Sequence, residues 1–276
     1  MREQWDTFLT QHRLAATTEE IHVGGVPCRW VNAPGADGAR TIIFLHGGGY
    51  QIGSTQSHHN VMARLSAASG VRVLGVNYRL APEHRFPAPV EDALAVYRGL
   101  LEQGFEPSSL SLCGDSAGGG LAVALLTSLR EASLPMPASA VLMSPWVDME
   151  ARGESFSTQA AFDPVTQHAA ITLMARTYMG RGADLRAPLA SPIHADLGGL
   201  PAVLVQVSDC EVLYDDAVSL VSRMQASGVE ARLSLWPGMV HTFQLFAGRL
   251  DEADAALDEA ARFLMKSHTK SQETFR

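Results

Sequence analysis

The chain has 276 residues, is 46% hydrophobic and 18% charged, and carries a net charge of −8. That composition excludes extensive disorder and fits one large α/β domain, 1–276, with an insertion. The acidic balance argues against nucleic acid and against an anionic membrane surface as partners.

No apolar run reaches the length of a membrane span, and the polar residues 1–11 lack a signal-peptide apolar region. Three scattered cysteines, Cys28, Cys113 and Cys210, fit a reduced, cytoplasmic setting. In chain order, Trp5, Phe8 and Leu9 space as one face of a short helix. Segments 19–23 and 26–31, joined by Gly24-Gly25, read as a hairpin. Strand-like runs follow at 41–45, 71–76, 110–113, 140–143, 202–207 and 233–236. Helix-like runs lie between them, notably 61–69, 90–103 and 117–131. The alternation predicts an α/β fold, a mostly parallel sheet flanked by helices. The rhythm breaks between Ser144 and Pro201, where a polar stretch, 150–159, and one helical run, 164–178, mark an insertion. The polar tail from Lys266 is expected to fray.

The chemistry concentrates at the ends of these strands. Gly114-Asp115-Ser116-Ala117-Gly118 fits G-x-S-x-G and lies between an apolar run and a helical one. A serine on such a strand–turn–helix bend is held exposed on a strained backbone. Upstream, the 41–45 run ends in His46-Gly47-Gly48-Gly49-Tyr50. Three glycines after a buried strand cost folding entropy, and they make sense where bare N–H groups must approach an oxyanion. Downstream, the 202–207 run leads into Ser208-Asp209-Cys210-Glu211, then a helical run with Leu213, Ala217, Leu220, Val221 and Met224 on one face. The last strand leads to Pro237-Gly238-Met239-Val240-His241. Serine, acid and histidine thus follow in the order of an α/β-hydrolase triad, each after a strand.

The motifs His46–Tyr50, Gly114–Gly119 and His241-Thr242-Phe243, with Tyr78-Arg79-Leu80-Ala81-Pro82-Glu83-His84, resemble the hormone-sensitive-lipase-like group of α/β-hydrolases. The resemblance runs from about Glu20 to Leu264. It implies Ser116 as nucleophile, His241 as general base, and Gly48, Gly49 and Ala117 as oxyanion-hole donors. The family's Asp-Pro-Leu-x-Asp pattern falls on Glu211-Val212-Leu213-Tyr214-Asp215, which puts a glutamate, Glu211, at the acid position and no proline after it. Asp209 and Asp215 are the alternatives for the acid. The resemblance also implies a small helical cap from residues 1–18 and 147–195, a bracing role for the 78–84 stretch, and, by analogy, a homodimer.

Together these readings predict a serine carboxylic-ester hydrolase that needs no metal or cofactor. Its substrate is a small-molecule ester, of short to medium acyl length, or a lactone, because little chain precedes Glu19 to build the cap. An amidase or formamidase with the same triad is the alternative, as is a silent receptor on this scaffold, like the plant gibberellin receptors that lack the histidine. His58-His59 reads as a loop and helix start, His46 as structural, Asp115 as a loop tether and Cys113 as core. Trp146, Phe162, Tyr178 and Phe243 are candidate pocket aromatics.

Overall fold

The computed structural model describes residues 2–10 and 12–273, with the side chains of Phe8 and of residues 267–273 outside the description. β1 (Thr17–Val23) and β2 (Val26–Asn32) form an antiparallel hairpin around Gly24-Gly25. The later strands are β3 (Asp37–Leu45), β4 (Val71–Val76), β5 (Leu110–Asp115), β6 (Ser139–Met143), β7 (Ala202–Val207) and β8 (Ala231–Leu235). They assemble in the order β1-β2-β4-β3-β5-β6-β7-β8. β2 meets β4 antiparallel, and every pairing from β4 to β8 is parallel. β5 therefore lies in the middle of the parallel region, and the loops after β3, β5, β7 and β8 open on one edge of the sheet.

Eight helices are described: α1 (Arg2–Leu9), α2 (His59–Ser69), α3 (Ala88–Glu102), α4 (Ala117–Glu131), α5 (Ser155–Thr158), α6 (His168–Met179), α7 (Tyr214–Ala226) and α8 (Asp251–Glu273). Side chains of the central strands alternate between two apolar layers, as the two-residue period of a strand requires. Ile43, Leu45, Leu112, Leu142 and Val205 face the layer built with α3, α4 and α7. Ile42, Phe44, Cys113, Val141 and Leu204 face the layer built with α2 and α8. Both faces of the sheet are covered, which is why its strands read as nearly continuous apolar runs.

The structure departs from the sequence reading in several places, among them an early start of β3 at Asp37 and a late start of α6 at His168. The polar stretch 150–159 contains one helical turn, α5. The segment after His241 holds α8, which the sequence reading does not name, and α8 continues from Lys266 to Glu273 where fraying is expected. Thr274–Arg276 lie outside the described residues. β8 begins at Ala231 and ends at Leu235, shifted toward the N-terminus of the expected run. No helix among the described residues is long and apolar enough to cross a membrane.

One close approach fixes the centre of the molecule. A Cβ at Gly118, in the first turn of α4, would lie 2.0 Å from the carbonyl oxygen of Leu45 at the end of β3. Gly114 meets the same turn, with a Cβ there 2.4 Å from the Gly118 carbonyl oxygen. Both neighbours are backbone, so neither can swing aside. Gly118→Ala is expected to destabilise the protein by at least about 1–3 kcal/mol, the usual cost of overpacking. Urea unfolding would measure it, and a midpoint equal to wild type would refute the close approach.

Candidate active site

Ser116 sits between β5 and α4 with φ 50° and ψ −119°. Left-handed φ is uncommon for a residue with a Cβ, and it persists only where the surroundings hold it. Here they do. The Ser116 N–H donates to the Met143 carbonyl at 2.8 Å, and its own carbonyl accepts from Trp146 at 2.9 Å and Gly120 at 3.1 Å. With its backbone satisfied in this way, the residue turns its side chain into the cavity at the sheet edge.

The acid and the histidine arrive on separate loops. Glu211, after β7, is fully buried, and His241, after β8, is nearly so. Glu211 Oε2 lies 2.7 Å from His241 Nδ1, and His241 Nε2 lies 3.0 Å from Ser116 Oγ. A carboxylate only accepts, so Nδ1 carries the hydrogen and Nε2 is left to accept the Ser116 hydroxyl proton. The other oxygen, Glu211 Oε1, accepts the Ser208 N–H at 2.7 Å and the Ser144 hydroxyl at 2.8 Å. Burial works to lower the His241 pKa, but the hydrogen bond and charge of Glu211 outweigh it, and the imidazole sits above its ordinary 6.5.

The alternative acids are engaged elsewhere. Asp209 Oδ1 accepts the Gly238 N–H at 2.8 Å and so ties the two loops together at the surface. Asp215 lies in the first turn of α7 and accepts the Ser155 N–H at 2.8 Å. Of the three carboxylates, Glu211 is the one brought to the histidine.

The glycine loop after β3 runs beside the serine. Gly48 and Gly49 have φ of 112° and 61°. A Cβ on Gly49 would lie 2.3 Å from the Met174 Sδ. The N–H groups of Gly48, Gly49 and Ala117 meet no acceptor among the described residues. Ala117 opens α4, so its N–H is one of the free donors at a helix start. The loop is braced from below. Asp115, 3% exposed, accepts the Gly47 N–H at 2.9 Å and lies 3.3 Å from His58 Nε2. Tyr78 donates to the His46 carbonyl at 2.5 Å and stacks on the His46 ring at 4.3 Å. Burial first, and then the neighbouring His58, push the His46 pKa down to about 3, so this imidazole is neutral and structural. His58 precedes α2 and His59 opens it. Tyr78, the first residue of the 78–84 stretch, thus packs against the loop.

Above Ser116 lies a cavity of about 160 Å³. Its walls are Trp5 from α1, Ile52, Val165, Ile171 and Met174 from the insertion and its neighbours, and Leu245. None of the four expected aromatics lines it. Trp146, Tyr178 and Phe243 are fully buried in the core, and Phe162 is exposed. Tyr178 instead stacks on Tyr50 at 3.9 Å, which stiffens the end of the glycine loop. The sequence reading missed Ile52, Val165, Ile171, Met174 and Leu245 because isolated aliphatic residues carry no motif. Trp5 was legible only as one face of a helix. A group with metal-ligand chemistry, Asp148, Glu150 and His194, lies apart from this cavity, and Glu150 is already paired with Arg152.

The geometry has a direct spectroscopic consequence. In an NMR titration His241 is expected to lose its proton above pH 6.5, whereas His46 stays neutral down to about pH 3. Glu211→Gln removes the charge that favours the imidazolium and is expected to move the His241 midpoint downward. A His241 midpoint that is unchanged in that variant would contradict the assigned contact.

Comparison with known proteins agrees with this arrangement. The sequence matches the family described as alpha/beta hydrolase fold over residues 42–245. It is 45% identical to the acetyl-hydrolase of Streptomyces hygroscopicus over 244 residues, covering 88% of this chain and 81% of that protein. It is 32% identical to the ethyl acetate hydrolase of Pseudomonas putida over 253 residues, covering 88% and 79%. Its structure superposes with a TM-score of 0.95, at 48% identity, on an esterase from the bacterial hormone-sensitive lipase family, covering 97% of this chain and 90% of the other. The chain belongs to the α/β-hydrolase family, in its hormone-sensitive-lipase group of esterases.

Proposed function

We propose that this esterase hydrolyses small carboxylic esters through a Ser116–His241–Glu211 triad and an acyl-enzyme. The observation that carries the reading is the continuous hydrogen-bonded chain from Glu211 Oε2 through His241 to Ser116 Oγ, at 2.7 and 3.0 Å. His241 Nε2 takes the Ser116 proton as Oγ attacks the ester carbonyl. The carbonyl oxygen gains charge and is met by the N–H groups of Gly48, Gly49 and Ala117, which no other acceptor occupies among the described residues. Protonated His241 then gives its proton to the leaving alcohol. Water enters, loses a proton to His241 and cleaves the acyl-Ser116 by the same route. Glu211 holds the productive tautomer and stabilises the imidazolium; Ser144 and Ser208 hold Glu211.

The chain is read as one α/β-hydrolase domain capped by residues 1–18 and 147–195. Supporting this, Trp5 of α1 and Val165, Ile171 and Met174 of the insertion meet over Ser116. Met1 and Gln11 lie outside the described residues. α1 is held in place by Arg2, which donates to the Gln51 and Ala81 carbonyls at 2.7 and 2.8 Å. The small, largely apolar cavity favours short acyl groups, in keeping with relatives named for acetyl and ethyl acetate hydrolysis.

Ser116→Ala is expected to lower turnover of p-nitrophenyl acetate by on the order of 10⁴ or more. Retention of most activity in that variant would remove the triad. Across a p-nitrophenyl series from acetyl to dodecanoyl, kcat/KM is expected to peak among the short acyl groups. A maximum at the long end would refute the size argument.

A further inference from the structure

The insertion reaches the acid loop through one buried carboxylate. Asp163 lies between the exposed Phe162 and the turn that leads to α6, and it is 2% exposed. Its Oδ1 accepts the N–H groups of Val165 at 2.9 Å and Thr166 at 2.8 Å. Its Oδ2 accepts the Val212 N–H at 3.0 Å. Val165 and Thr166 line the cavity above Ser116, and Val212 directly follows Glu211. No lysine or arginine pairs with Asp163 among the described ion pairs. Three backbone donors therefore hold its charge.

We propose that Asp163 is a positioning residue that joins the substrate-facing wall of the insertion to the acid of the triad. The inference rests on Ser116, His241 and Glu211 acting as proposed above. A buried carboxylate held this way is rigid, because losing the Val212 N–H leaves Oδ2 without a donor and losing the Val165 and Thr166 N–H groups leaves Oδ1 without one. An ester pressing on Val165 and Thr166 presses on the same group that fixes Val212, so seating of the substrate and alignment of Glu211 are one event. Val212 stands where the family pattern has proline, and only a residue with an N–H can make this contact. Asp163 also acts through space. The charged groups whose fields favour protonated His241 are Glu211, Asp163 and Asp115. Loss of the Asp163 charge makes the imidazolium less favourable. Its pKa then falls, and the acid limb of kcat/KM moves to lower pH.

The test compares Asp163→Asn, Val212→Pro and Ser155→Ala on p-nitrophenyl acetate and butyrate across pH, with thermal melting of each protein. Ser155 is a neutral tie to the same loop, with Oγ donating to the Val212 carbonyl at 2.6 Å. Asp163→Asn is expected to lower kcat by roughly 10- to 100-fold, with a smaller change in KM and an acid limb at lower pH. Val212→Pro keeps the charge and removes the contact, so kcat falls and the limb stays nearer to wild type. Ser155→Ala leaves the limb in place. A folded Asp163→Asn protein with the wild-type kcat and pH profile would overturn the proposal. So would activity lost only through unfolding of Asp163→Asn while Val212→Pro remains fully active. A loss in Asp163→Asn with an unmoved limb, matched by Ser155→Ala, would reduce Asp163 to a structural tie and overturn it equally. Failure of the triad itself is read separately, from Ser116→Ala.

Discussion

The hydrogen bond between Glu211 and His241 sets the terms for everything around it. A fully buried carboxylate cannot stay charged without donors, because the interior supplies little of the solvation that water gives. Glu211 has three, from His241, Ser144 and Ser208, and each comes from a different place. Ser208 follows β7, Ser144 follows β6, and His241 comes after β8. To keep one charge buried, the fold must bring three strand ends to a common point with an accuracy of tenths of an ångström. A parallel sheet provides that, since its strands all release their loops on the same edge.

The same device recurs around the site. Asp115 holds the Gly47 N–H, Asp163 holds those of Val165, Thr166 and Val212, and Asp216 holds those of Val147 and Asp148. In each case a buried aspartate side chain supplies the acceptors that irregular backbone lacks. The loops above the sheet have no ladder of their own, and these side chains satisfy the N–H groups just named. The balance differs between these groups. Asp115 is held below the usual carboxylate range, where burial opposes ionisation but His58 and the Gly47 N–H outweigh it. Asp216 is pushed up to about 8, chiefly by burial and then by the charges of Asp148 and Asp215. Rigid loops are what catalysis by fixed dipoles requires, since donors aimed at a developing oxyanion are useful only if they need not reorganise.

Much of this was legible in the chain. The three glycines before Tyr50 were read as backbone that approaches an oxyanion, and in the structure the Met174 side chain leaves no room for a Cβ at Gly49. The elbow could be read from a serine between glycines with a strand before and a helix after. Cys113 looked like core and is core. Other features left no trace. The cavity is lined by Ile52, Val165, Ile171, Met174 and Leu245, ordinary aliphatic residues whose meeting depends on where the insertion folds back. Conspicuous aromatics misled for the same reason. Trp146 and Tyr178 are large enough to dominate packing, and they went to the core beneath the glycine loop rather than to the pocket.

The sequence by itself determined the alternation of strands and helices and the two covered faces of the sheet, and it marked the serine, the histidine and the glycine loop. Those follow from local rules: the period of side chains along a strand, the conformations open to glycine, and the need for a strand before each functional loop. Which carboxylate meets His241 was a tertiary decision. Asp209, Glu211 and Asp215 lie within seven residues of one another on one loop and helix start. Only the path of that loop, tied by Ser155 and Asp163 from the insertion and by Ser144 from β6, turns Glu211 inward and leaves Asp209 at the surface. The partners that select it are 49 to 67 residues away in sequence, beyond the reach of any local pattern.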